Sequence, residues 1–116
     1  MKNHKKDLAS MSVRQLLARR RMLAAQLGDV QEVLSGSLAE QMRRCGKAGC
    51  RCASGEGHGP YFYFALRAAG RGRARYVPSG LVEVVRRYLQ RGEAVELVLA
   101  EISAVNTELL ARRELG

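Results

Sequence analysis

CGKAGCRCASGEGHGPYFYFALR, residues 45–67, carries all three cysteines of the chain, one of its two histidines and four of its six aromatic side chains. Cys45, Cys50, Cys52 and His58 are spaced C-x4-C-x-C-x5-H, three thiols and an imidazole within fourteen residues. Four such donors suit one tetrahedral zinc ion. The five glycines between Cys45 and Pro60 supply the backbone freedom that a short loop needs to close on a metal. Lys47 and Arg51 flank the thiolates and would partly offset the negative charge of a Zn(Cys)3His centre. The spacing departs from the common C-x-x-C pairs. The plainer alternative is that the cysteines are small reduced core residues, with His58, Gly59 and Pro60 only shaping the turn into a strand. With four donors bound, no coordination position stays open, and Glu56 is the one nearby acid. Zinc is therefore expected to be structural, and the protein is not expected to be an enzyme.

Downstream of the loop, Tyr61–Arg67 is aromatic-rich and Arg73–Val77 mixes aromatic and β-branched residues, with a Gly-containing connection, 68–72, between them. This pattern predicts a β-hairpin. Upstream, Leu38–Arg44 alternates less cleanly and either adds a third strand or extends the turn. Alternation predicts Phe62 and Phe64 in the core, with Tyr61 and Tyr63 facing an arginine-rich side. Between residues 43 and 75 lie eight basic groups, Arg43, Arg44, Lys47, Arg51, Arg67, Arg71, Arg73 and Arg75, opposed only by Glu56. Arginine forks bind phosphate bidentately and read guanine edges. Arg73 and Arg75 alternate onto one strand face and Arg71 sits at the tip, a ribbon narrow enough for a major groove. Tyr61 and Tyr63 would then meet the backbone or stack on unpaired bases. A merely solubilising surface is the alternative.

Outside this centre the chain reads as helix. Val13, Leu16, Leu23, Leu27, Val30 and Leu34 recur at helical spacing, Ser12 and Gln15 have capping-box spacing, and Gly36 suits the residue after the last turn. Beyond Pro78 and Ser79, Leu81, Val85, Tyr88, Val95, Leu99, Ile102 and Leu109 form a second stripe, interrupted at Gly92 and carrying Asn106 on its seam. Either one bent helix or two successive helices fits. Residues 1–10 read as a basic disordered tail. Residues 11–116 read as a single α+β domain, with helix 11–35, zinc loop and β-hairpin or three-stranded module 37–78, and helical arm 79–114. The helices are expected to pair with each other as a hairpin, or with a second chain as a coiled coil in a homodimer.

The 116 residues carry a formal net charge of +9, which attracts polyanions. No apolar run approaches the length of a bilayer span, so no membrane partner is expected. An odd cysteine count makes a poor disulfide framework and points to a reducing compartment, the cytoplasm, with association to the nucleoid.

Three segments carry a resemblance: CGKAGCRC at 45–52, GHGPYFY at 57–63 and RYVP at 75–78. They resemble a family of small bacterial proteins of unassigned function, often encoded among mobile-element and phage genes, with a CGKxGCxC, HGPYxY and RYVP core. The likeness spans roughly residues 36–110, and Ala48 stands where relatives commonly have Pro. It implies that Cys45, Cys50, Cys52 and His58 belong together, and it makes a DNA-handling role more plausible. The function expected is zinc-stabilised binding of nucleic acid, DNA favoured over RNA. The rival is an adaptor docking on a larger recombinase, transposase or nuclease. A thiol redox enzyme using Cys50 and Cys52 lacks the usual C-x-x-C at a helix start. A tyrosine recombinase lacks the Arg and His cluster that the nucleophile needs.

Overall fold

A computed structural model describes residues 8–44, 46–50, 55, 57–67 and 74–116. The expected tail at 1–7 and hairpin connection at 68–72 lie outside the described residues. The architecture is α+β: helix α1 (Val13–Leu27), strands β1 (Gly36–Arg43), β2 (His58–Leu66) and β3 (Arg75–Val77), and helix α2 (Val82–Ala111). Chain contacts divide into two compact units, residues 1–31 with 93–116 and residues 32–92, where the sequence suggests a single domain over 11–116.

In the first unit, Ser12 opens α1 as expected. Its hydroxyl accepts from the Gln15 N–H at 3.1 Å, and its own N–H donates to Gln15 Oε1 at 2.8 Å. The helix ends at Leu27 rather than near residue 35. Gly28 turns the chain at φ 54°, and Asp29 Oδ1 accepts from the Gln31 N–H, a side-chain turn that competes with helix continuation. Val30 is therefore exposed and no longer part of the stripe. Residues 8–10, assigned to the tail by sequence, are helical, and Leu8 is buried.

Leu8, Leu16, Leu23, Val105 and Leu109 form the core of this unit, flanked by Met11, Val13, Leu17, Val98 and Ile102. Apolar contact between the two helical stripes is its main stabilising term. On α2 the buried line runs through Val98, Ile102, Val105 and Leu109, steps of four, three and four. The expected Leu99 falls one position off that line and is exposed. The helices run in opposite directions. Arg112 Nη2 donates to the Leu8 carbonyl at 3.0 Å, while Arg19 pairs with Glu101 at 3.1 Å. Asn106, on the seam of α2, accepts from Arg20 Nη1 of α1 at 2.9 Å.

In the second unit, β1, β2 and β3 make an antiparallel sheet in that order. Leu38–Arg44 thus contributes a third strand, the first of the two alternatives it allowed. Gly36, expected to end α1, opens β1 instead, because the helix stops eight residues earlier at Gly28. β1 pairs with β2 from Gly36↔Leu66 to Gln41↔Tyr61, then shifts so that Arg43 lies opposite His58. β3 pairs Val77 with Phe62, Tyr76 with Tyr63 and Arg75 with Phe64.

Pro78 ends β3 and a 3-10 turn, Ser79–Leu81, leads into α2. The helix runs unbroken through Gly92, so one helix, not two, follows the sheet. Gly92 is there for a close approach. A Cβ on it would collide with the Leu34 carbonyl, whose own N–H donates to the Tyr88 carbonyl at 3.0 Å. Among the described residues, no helix is long and apolar enough to cross a membrane.

Candidate functional site

Strand alternation sorts the sheet into two chemically different faces. By register, Leu38, Glu40, Phe62, Phe64, Arg75 and Val77 share one face, and Ser37, Ala39, Gln41, Tyr61, Tyr63, Ala65 and Tyr76 share the other. Phe62 and Phe64 are half-buried, and the Arg86 guanidinium of α2 lies 5.4 Å from the Phe62 ring centre. The phenylalanines share their face with the buried Val77, but they are half-buried, as Tyr61 and Tyr63 are, and neither joins the buried core that alternation predicts for them.

The tyrosine face carries a cationic and aromatic cluster. The Arg43 guanidinium lies 5.0 Å over the Tyr63 ring, within cation–π range. Arg43 Nη2 also donates to Gln41 Oε1 at 3.2 Å. Tyr63 meets Tyr76 edge-on, with ring centres 5.8 Å apart and planes at 65°. Arg43, Arg44, His58, Tyr61, Tyr63 and Tyr76 line an open hollow of about 380 Å³.

At the mouth of this hollow the cysteine loop leaves the sheet. Cys50 Sγ stands 3.2 Å from His58 Nε2, and the Cys50 N–H donates to the Lys47 carbonyl at 3.1 Å to make a turn. Arg44 Nη2 bridges the loop to the Gly55 carbonyl at 2.9 Å. Gly57, at φ 97°, returns the chain against β1, where a Cβ would stand 2.7 Å from the Arg43 carbonyl oxygen. Zinc bonds of about 2.3 Å to sulfur and about 2.0–2.1 Å to nitrogen, at a tetrahedral angle, separate the two donors by roughly 3.5 Å. The Cys50 and His58 donors are within a few tenths of an ångström of that spacing.

Cys45, Cys52, Arg51, Arg71 and Arg73 lie outside the described residues. Among the described residues, no group of three or more metal-binding side chains converges. Of the basic residues named from sequence, Arg43 and Arg44 line the hollow and Lys47 is exposed on the loop turn. Arg67 follows β2, its N–H donating to the Ser35 carbonyl at 3.0 Å. Arg75 is exposed but opposite Phe64, on the phenylalanine face. The cations beside Tyr61 and Tyr63 are therefore those at the end of β1, not Arg75 of β3, because β3 enters the sheet with Tyr76 opposite Tyr63. Sequence reading missed Tyr76. The signal was available: Val77 is apolar and next to it in a strand, so Tyr76 points to the other side.

Fold and surface together define a small α+β protein with a basic, aromatic sheet face and a cysteine and histidine loop at its edge. The chain belongs to the family described as Domain of unknown function (DUF6788), which matches residues 13–87. Neither the curated proteins nor the solved structures give a match.

Proposed function

We propose that the protein binds nucleic acid, DNA before RNA, through the tyrosine face of its sheet, with the cysteine loop as a zinc staple. The hollow lined by Arg43, Arg44, His58, Tyr61, Tyr63 and Tyr76 carries this reading. It unites guanidinium groups for phosphate with rings for bases, the two elements of a nucleic-acid groove. The net charge of +9 adds long-range attraction for a polyanion. Zinc, held by Cys45, Cys50, Cys52 and His58, would fix the loop in place and do no chemistry. A cytoplasmic, nucleoid-associated protein of a phage or mobile element is the setting this reading implies.

The test is anisotropy binding to labelled DNA and RNA across a salt series, with bound zinc quantified on the same sample. Expected are one zinc per chain and an affinity that falls with salt, the slope counting displaced counterions. Replacing Arg43 and Arg44 together with Ala should weaken binding by at least tenfold, at about 1.5–3 kcal/mol for a charged hydrogen bond. Unchanged affinity in the folded double variant would dismiss this face.

One observation favours the adaptor reading as second. Leu99 and Leu110 of α2, three helical turns apart on one side of the helix, are 47% and 60% exposed, apolar positions suited to a partner helix or a second copy of the chain. Failure to bind nucleic acid at low salt, with stable association to another protein, would put that reading first.

A further inference from the structure

We infer that the nucleic acid taken by the tyrosine face is single-stranded, with an unpaired base stacked on Tyr76. The inference rests on the nucleic-acid reading and narrows it. Tyr63 is already engaged, with Arg43 over its ring and the edge contact to Tyr76. Tyr76 is 55% exposed and lines the hollow, the most exposed of its three tyrosine rings and open to a flat partner.

The surroundings favour a base over other partners. Beside the rings stand Ser37, Ala39 and Ala65, small side chains on the same face, with Ala39 directly opposite Tyr63. The strand carboxylate, Glu40, is opposite Phe62 on the other face, so among the described strand residues the tyrosine face carries no acid to repel phosphate. Arg43 and Arg44 stand at one end of the hollow, placed for the backbone of a strand whose base reaches Tyr76.

Access to the face of a base separates a single strand from a duplex. Successive nucleotides in a B-form strand advance about 3.4 Å, with their faces hidden in the stack. The ring of Tyr76 can be covered face to face only by a base that has left the stack. Sheets that bind RNA take unstacked bases on exposed aromatic rings in this way.

DNA and RNA single strands present the same stacking faces, so the probes are oligo-dT, oligo-U and a hairpin duplex, each labelled and titrated against the full chain. Both single strands are expected to bind at least tenfold more tightly than the duplex. Tyr76→Ala should weaken single-strand binding by roughly five- to 150-fold, the worth of one stacked base, while Tyr76→Phe retains it. Intrinsic tyrosine fluorescence of the wild-type protein, which needs no variant to fold, should be quenched by oligo-dT or oligo-U. A duplex bound as tightly as the single strands, an unchanged Tyr76→Ala affinity, or absent quenching on a bound single strand would overturn the inference while leaving nucleic-acid binding standing. No binding to any of the three at low salt would overturn both. A dT preference over U assigns the strand as DNA, and the reverse as RNA.

Discussion

Gly92 shows how a single residue is governed by a contact that its own neighbours do not reveal. On helix propensity alone, Ala at this interior position of α2 is better by about 1 kcal/mol. A Cβ here collides with the Leu34 carbonyl, and that segment is tied down by the Leu34 N–H bond to the Tyr88 carbonyl. Backbone cannot rotate out of the way as the tip of a long side chain can. Overpacking of this kind costs about 1–3 kcal/mol. Gly92→Ala is therefore expected to lower the thermal midpoint by several degrees, followed by circular dichroism, in spite of its better helix propensity. A raised midpoint would mean that the Leu34 backbone does not press on α2. Sequence makes Gly92 conspicuous as a break in a helical stripe. The partner, Leu34, is fifty-eight positions away, and no periodicity could name it.

At the scale of elements, local chemistry was legible where the determinants lie within one turn. Ser12 and Gln15 are three residues apart, and both reciprocal bonds of the capping box form. Ser12→Ala should destabilise α1 by about 1 kcal/mol, read as a lower urea midpoint with an unchanged slope. No change would mean that contacts with α2 alone define the start of the helix. The end of α1 was misread because Val30 and Leu34 continue the apolar period past Gly28 and Asp29. The turn at Gly28 and the Asp29 bond to Gln31 stop the helix, and Leu34 is used by another element. Strand alternation grouped Phe62 and Phe64 on the face of buried Val77, though not in the core it predicts for them. It put Arg75 on the tyrosine side, because cross-strand register, which decides which cation meets which ring, cannot be read from one strand. Arg75 lies opposite Phe64, and the shift after Gln41 brings Arg43 opposite His58 and over Tyr63. The length and conformation of the connections set that register, and composition does not encode them.

For the molecule as a whole, the cysteine loop and the tyrosine face are joined through shared residues. Arg43 and His58 are register partners where β1 and β2 leave the sheet, both line the hollow, and His58 sits 3.2 Å from Cys50. Arg44, which lines the hollow, spans the loop to the Gly55 carbonyl. A zinc ion holding His58 and Cys50 would therefore also hold the guanidinium groups that face Tyr61 and Tyr63. Structural zinc supplies folding free energy to the segment that binds it, and among the described residues of 46–57 none is buried. Chelation should accordingly weaken nucleic-acid binding by about tenfold or more, the worth of one charge-assisted contact no longer held in place. The α1 and α2 core, built from Leu16, Leu23, Val105 and Leu109, has no part in the loop, so most helical signal should survive. His58→Ala should reproduce the chelated state, losing both zinc and affinity at near-constant helicity. Anisotropy, zinc content and circular dichroism on the same samples check this. Zinc removal with full retention of affinity would separate the loop from the binding face.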